Sequence, residues 1–161
     1  RDAFAALAGE DRAEGLTARY KALMRERGIG SFGPYPGCRE ALEAVVSSGG
    51  CNYLYTHNDR QALETLKRDG LHGLFRDFIT AEDSFPGKPA PDALLWLLAR
   101  HGLAPGDCVM IGDREIDLTA GKNAGITSAL FDPEGYLPGL PAEYRFTSLP
   151  DIPRKLLKNP Q

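Results

Sequence analysis

The chain has 161 residues, a net charge of −3 and ordinary fractions of charged and apolar residues, which suits one globular domain with a small appendage. The negative charge argues against nucleic acid as a partner, because phosphate backbones select strongly basic faces. No apolar run approaches the roughly 20 residues of a membrane span. The three cysteines are scattered, without zinc or Cys-x-x-Cys spacing, so a reduced, cytoplasmic protein is expected.

The first 27 residues have apolar side chains at three- and four-residue spacing, which predicts helix, and a Gly/Pro-rich linker follows. Beyond it, short apolar runs alternate with helical segments. The predicted strands lie at 53–55, 78–80, 109–111, 128–131 and 145–147. The predicted helices lie at 38–47, 60–69, 91–98, 115–124 and 151–157. This alternation predicts an α/β fold with a parallel sheet and helices on both faces.

Such sheets bind ligands beyond the carboxyl ends of their strands, where three polar clusters occur. The first comprises Thr56, His57, Asn58 and Asp59, directly after a predicted strand. A hydroxyl beside backbone N–H groups at the start of a helix can hold a phosphate oxygen. Residues of these types also serve as helix caps, so both interpretations stay open.

The second cluster surrounds Lys88, which stands before Pro89 in the sequence Gly-Lys-Pro-Ala-Pro. A residue before proline is biased toward an extended backbone, and Pro91 suits the first turn of a helix. A lysine on such a stiffened loop offers a point charge to a phosphoryl group. The alternative is an ordinary solvated surface lysine.

The third cluster contains Asp113 and Asp117, which follow an apolar strand and Gly112. Residues four apart lie on the same face of a helix, so both carboxylates can point toward one place. Carboxylate oxygens suit magnesium, which takes one or two of them and keeps several waters. Alternatively, Asp113 caps the helix and Asp117 is an exposed helix residue.

The three clusters occur in the order of the second, third and fourth motifs of the haloacid dehalogenase superfamily, which the chain resembles from about residue 35 to residue 131. Around the motifs it is most similar to bacterial phosphoglycolate-phosphatase-like hydrolases. That closer similarity is carried by the segments 55–57, 111–114 and 120–125. The resemblance implies a Rossmann-like core and hydrolysis of a small phosphomonoester.

Members of this superfamily attack phosphorus with an aspartate of an Asp-x-Asp-Gly-Thr motif, located after the first, central strand of the sheet. The present chain contains no Asp-x-Asp sequence. The resemblance therefore implies that residues 1–33 are the remnant of a helical cap. Residues 34–161 would form the core without its central strand, and the chain alone is expected to be inactive and poorly stable.

The resemblance also implies roles for the polar clusters. Catalysis would depend on Lys88 and Thr56, and magnesium would be held by Asp113 and Asp117. The residues expected to bind phosphate are Thr56, His57, Asn58 and Lys88. The expected partner is a small phosphorylated metabolite, with neither nucleic acid nor membrane involved, and no residue pattern indicates an oligomeric state.

Three other functions fit parts of the pattern. A sugar-phosphate mutase shares the core, but its fourth motif typically begins with Glu-Asp, whereas this chain has Gly112 and Asp113. A pseudo-enzyme or binding module would explain the absent nucleophile but not the retention of the other site residues. A phosphate-accepting receiver domain would need an acidic pair after its first strand, and the sequence has none there.

Overall fold

The computed structural model describes residues 10–26 and 33–157. The chain divides into two compact units, residues 1–34 and 35–161, and the first contributes helix α1 (Glu10–Glu26). The helices of the second unit are α2 (Cys38–Ser47), α3 (Gln61–Arg68), α4 (Asp92–His101), α5 (Glu115–Asn123) and α6 (Asp151–Leu156). Its strands are β1 (Asn52–Tyr55), β2 (Phe75–Ile79), β3 (Val109–Gly112), β4 (Thr127–Phe131) and β5 (Tyr144–Phe146). The assignment of the first unit to a cap stays a prediction.

The five described strands form two parallel sheets, one of β1 and β2 and one in the order β3–β4–β5. Within the described residues, β1 and β3 each pair with a strand on one side only. On β3, the side chains of Val109 and Ile111 are 37% and 43% exposed, although both are of strand-core type. Two open strand edges are what a core without its central strand would show, and the filling of that gap stays a prediction.

Helices lie against both faces of the larger sheet at β4, as the alternating pattern predicts. Ser128 of β4 points toward α5, where its hydroxyl donates to the carbonyl of Leu118 at 3.0 Å. The next residue, Ala129, points to the opposite face and packs with Ile152 of α6. Successive side chains of a strand alternate between faces, so one strand contacts both helical layers.

Helix α4 contributes to the packing of both sheets. Its Leu94 and Leu98 share an apolar cluster with α5, against which Tyr55 of β1 and Met110 of β3 pack. Ala93 and Leu97 of the same helix are buried with Ile79 of β2 in a second cluster. Burial of these side chains stabilises the chain by roughly 1.5–3 kcal/mol for each large residue, so α4 connects the two sheets.

The second strand begins earlier than the sequence predicts, since β2 already includes Phe75 and Asp77. The carboxylate of Asp77 interrupts the apolar pattern, but Arg100 Nε and His101 Nε2 each lie 2.9 Å from its Oδ2. These partners, distant in sequence, allow a charged residue inside the strand. Thr80, predicted as its last residue, lies outside it and donates its N–H to Asp83 at 2.8 Å.

None of the helices among the described residues is long and apolar enough to cross a membrane. The three cysteines, Cys38, Cys51 and Cys108, are free thiols. Removal from water raises the pKa of Cys38 and of Cys108, so both thiols are held in the protonated form at neutral pH.

Candidate active site

A buried ion pair lies at the carboxyl ends of the strands. Lys88 Nζ is 2.7 Å from Asp117 Oδ1, and the two side chains are only 4% and 3% exposed. The same ammonium donates to the backbone carbonyl of Tyr55 at 3.2 Å and lies 4.6 Å above the centre of its ring. Lys88 therefore joins the end of β1 to helix α5, which follows β3, and it is not a solvated surface lysine.

Other side chains fix the loop around Lys88. The hydroxyl of Tyr55 donates to the carbonyl of Pro86 at 3.4 Å, and the peptide bond between Lys88 and Pro89 is cis. From α5, the side-chain amide of Asn123 donates to the carbonyl of Pro89 at 3.0 Å. The loop is thus attached to both β1 and α5, which keeps the lysine between them.

Asp117 is held against the end of β3 by close packing. Its Oδ2 accepts the backbone N–H of Arg114 at 3.2 Å, which fixes the carboxylate at the start of α5. A Cβ on Gly112 would overlap the Cβ of Asp117. Only glycine leaves room for this approach, so Gly112 is needed for the position of Asp117.

Asp113 differs from Asp117 in exposure. Its side chain is 71% exposed, and its Oδ1 lies 3.7 Å from Arg114 Nε, which lies equally far from Asp117 Oδ2. The two carboxylates thus occupy the same end of β3, one buried and one open to solvent. An exposed carboxylate at this place is free to bind a cation.

The loop after β1 contains Thr56 and Asn58. The N–H of Thr56 donates to the carbonyl of Ile79 at 2.9 Å, and its hydroxyl oxygen accepts the N–H of Asn58 at 3.1 Å. This bond closes a local turn ahead of α3, whose N-cap residue, Arg60, makes no side-chain cap bond. Thr56 therefore does not cap α3, and its hydroxyl proton stays available to donate.

His57 also contacts the lysine loop, since its Nε2 accepts the backbone N–H of Lys88 at 3.0 Å. Removal from water lowers the pKa of His57, and the positive charges of Lys88 and Arg114 lower it further, while Asp117 opposes them. The imidazole is therefore held neutral at pH 7. Its neutral form has one nitrogen that accepts and one that donates.

A cleft of about 300 Å³ opens beside this loop. Its walls include Thr56, His57, Thr80, Asp83 and Phe85. The cleft combines apolar and hydroxyl-bearing side chains with one carboxylate, which suits a small polar molecule.

The carboxylates of the site determine whether it can bind magnesium. Among the residues that the structure describes, no three His, Cys, Asp or Glu side chains are grouped to hold a metal ion. Magnesium usually takes only one or two protein carboxylates. Asp113 is exposed and fits this role, whereas both oxygens of Asp117 already contact Lys88 or Arg114. The site fits magnesium held mainly by Asp113, with Asp117 beside it.

The structure brings together Lys88 and Asp117, and it places Asp113, Thr56, His57 and Asn58 on the loops around them. Three contacting residues were absent from the predicted site: Tyr55, Asn123 and Arg114, the last of which lies within the segment 111–114 that carries the family resemblance. Tyr55 directly precedes Thr56, and its apolar setting predicted strand rather than site. Asn123 lies within the segment 120–125 that carries the family resemblance, which was the available signal for it.

Comparison with known proteins places the chain among hydrolases. Residues 2–125 match the haloacid dehalogenase-like hydrolase family. A phosphoglycolate phosphatase from Vibrio vulnificus is 36% identical over 96 residues, which are 58% of this chain and 42% of that enzyme. The pyrophosphatase PpaX of Halalkalibacterium halodurans is 28% identical over 147 residues, which are 88% of this chain and 68% of that pyrophosphatase.

Among solved structures, a phosphatase of the same superfamily from Thermococcus onnurineus superimposes with a TM-score of 0.71 at 30% identity. The match covers 76% of this chain and 57% of that one. The chain spans less than half the length of the Vibrio enzyme that it resembles. The family match covers more than half of the present sequence. The chain belongs to the haloacid dehalogenase-like hydrolase family.

Proposed function

We propose that the chain is the phosphate-handling core of a magnesium-dependent phosphatase that hydrolyses a small phosphomonoester. The buried pair of Lys88 and Asp117 carries the proposal. Burying two charges is costly, and this pair connects the loops at which parallel sheets bind ligands. A fixed positive charge at that place suits a phosphoryl group, whose transfer depends mainly on positioning and charge stabilisation.

Each site residue has its own role in the proposed reaction. The ammonium of Lys88 offsets negative charge on the phosphoryl oxygens, and Asp117 holds that ammonium in place. Thr56, Asn58 and His57 offer hydrogen-bond donors to the same oxygens. Asp113 and Asp117 would hold magnesium, which when bound supplies further positive charge to the site.

The attacking carboxylate is proposed to lie outside the 161 residues, because these contain no Asp-x-Asp sequence. A strand between the open edges of β1 and β3 would end beside Lys88. Such a strand would supply the attacking carboxylate next to the lysine. Its carboxylate oxygen would form a bond to phosphorus as the bond to the leaving oxygen breaks. Water would then release phosphate from the aspartyl-phosphate, and without that strand the chain would be inactive.

The first test is the intact mass of the protein purified from its natural source. A mass above that of the 161 residues would reveal an additional segment, and hydrolysis of an aryl phosphate with magnesium should then be measured. We expect Lys88→Ala and Asp113→Ala each to reduce turnover to near the background. Lys67→Ala, which removes an exposed lysine from α3, should leave turnover unchanged.

Unchanged turnover in both site variants would contradict the proposed function. A mass equal to that of the 161 residues, with phosphate binding and no turnover, would instead support a binding module. A mutase would convert one sugar phosphate into its isomer without releasing inorganic phosphate. Phosphoglycolate is the first natural compound to assay, since it is the substrate in the name of the Vibrio relative.

A further inference from the structure

His57 connects two loops of the candidate site through a single hydrogen bond. Its Nε2 accepts the backbone N–H of Lys88 at 3.0 Å, across 31 positions of sequence. A ring nitrogen accepts only when it carries no proton. The proton of the neutral imidazole must therefore be on Nδ1, for which the described part of the chain provides no hydrogen-bond partner.

The surroundings of His57 maintain this arrangement. The ring of Tyr55 meets the imidazole edge to face, with centroids 6.2 Å apart and planes at 84°. A Cβ on Gly87 would lie 3.4 Å from Nε2, an ordinary contact distance, so the imidazole packs directly against the lysine loop. The nearby cations Lys88 and Arg114 disfavour a third positive charge, with Asp117 as the opposing anion.

The bond to His57 completes the attachment of the lysine loop. Tyr55 binds the carbonyl of Pro86, and Asn123 binds the carbonyl of Pro89. His57 alone among these side chains holds the backbone of Lys88 itself. The ammonium is already held by Asp117 and by the carbonyl of Tyr55, so fixing the backbone of Lys88 as well leaves little freedom to be lost when it binds phosphate.

We propose that His57 is a positioning residue that, as the neutral Nδ1–H tautomer, fixes the backbone of Lys88 and directs its ammonium to the phosphoryl site. The functional part rests on the proposed phosphatase activity. The structural part does not, because it concerns one hydrogen bond within the present chain. The same tautomer leaves Nδ1–H as the only donor that His57 can offer to a substrate oxygen.

The tautomer can be read directly from proton–nitrogen NMR spectra of the chain with ¹⁵N-labelled histidine rings. Of the three histidines, the signals of His57 are identified by their loss in His57→Gln. At pH 7 we expect Nδ1 to carry the proton and Nε2 to show the shift of an unprotonated acceptor. A proton on Nε2, or a charged ring at pH 7, would overturn the proposal.

Hydrogen exchange of the Lys88 amide tests the positioning itself. In His57→Phe, which has no acceptor, we expect exchange to accelerate about two- to tenfold, the range for one lost hydrogen bond. His57→Gln retains a side-chain acceptor and should restore part of the protection. His72→Phe is the matched control, because His72 stacks on Phe78, and it should leave the Lys88 amide unchanged.

Unchanged Lys88 exchange in His57→Phe would overturn the proposal, as would equal acceleration in His72→Phe. Selective acceleration supports it, even if the natural protein shows no phosphatase activity, in which case only the proposed function fails. If activity is found, His57→Phe should lower kcat and His57→Gln should recover part of it. The deficit should persist at pH values where the wild-type imidazole is neutral.

Discussion

Two buried carboxylates at the carboxyl ends of the larger sheet have different surroundings. Asp132, directly after β4, accepts the N–H groups of Tyr136 and Leu137 and pairs with Arg145 Nη1 at 3.0 Å. All of these partners lie within the following loop and β5. Asp117 instead pairs with Lys88, which belongs to the loop between β2 and α4.

These surroundings indicate a structural role for Asp132 and a place in the candidate site for Asp117. Arg145 is 34% exposed, so its guanidinium keeps contact with water if Asp132 is lost. Lys88 is 4% exposed, so its ammonium would be left buried without a counter-charge, with only the carbonyl and ring of Tyr55 as partners. Asp132 organises a local loop, whereas Asp117 holds a charge that joins two distant parts of the chain.

The largest loss of stability is expected when Asp117 is substituted. Asp117→Asn should lower the free energy of unfolding by about 3 kcal/mol, because it leaves a buried ammonium unpaired. Asp132→Asn, the matched variant, should lower it by about 1–2 kcal/mol, since Arg145 can be hydrated although one backbone N–H loses its acceptor. Urea unfolding of both variants measures the difference, and equal losses would remove the distinction between the two carboxylates.

The close packing at β3 predicts the next effect. Gly112→Ala should lower the free energy of unfolding by roughly 1–3 kcal/mol, because the added methyl group would overlap Asp117. Gly106→Ala, where a Cβ meets nothing within 4 Å, should change it by less than about 0.5 kcal/mol. In a double-mutant cycle with Asp117→Gly, which removes the overlapping Cβ, additive losses would contradict this contact.

His57 predicts a smaller, pH-dependent effect. Its pKa is lower in the folded than in the unfolded chain, so the unfolded state binds the proton more readily. The stabilising contribution is therefore complete above the unfolded pKa of about 6.5 and declines as the pH falls toward the folded pKa. The urea midpoints of wild type and His57→Gln should therefore differ less at pH 5 than at pH 7.5. A difference that stays constant over this range would contradict a pH-dependent contribution of His57.

The smallest effect on stability is expected at Asp113, which is 71% exposed. Asp113→Asn should change the free energy of unfolding by less than about 0.5 kcal/mol. It should nevertheless weaken binding of Mn²⁺, a paramagnetic substitute for magnesium, measured as reduced line broadening near β3. Undiminished broadening would show that Asp113 is not the main ligand.

The order of helices and strands, and the polar residues that follow the strands, could be predicted from the sequence. Apolar periodicity, Gly/Pro breaks and residues such as Thr56 and Lys88 are local features that need no knowledge of distant contacts. The boundary of β2 could not be predicted in this way, because the charged Asp77 lies in the strand paired with Arg100 and His101. Its charge is neutralised by a helix more than twenty positions away.

The sequence by itself determined the family and the residue types of the site, since both depend on short motifs in a fixed order. The tertiary structure decided which of these residues meet. It buried Lys88 against Asp117 and brought Tyr55, His57 and Asn123 to the lysine loop. Within residues 10–26 and 33–157, it left one edge each of β1 and β3 without a neighbouring strand. These contacts depend on how separate segments pack together, which no single segment specifies.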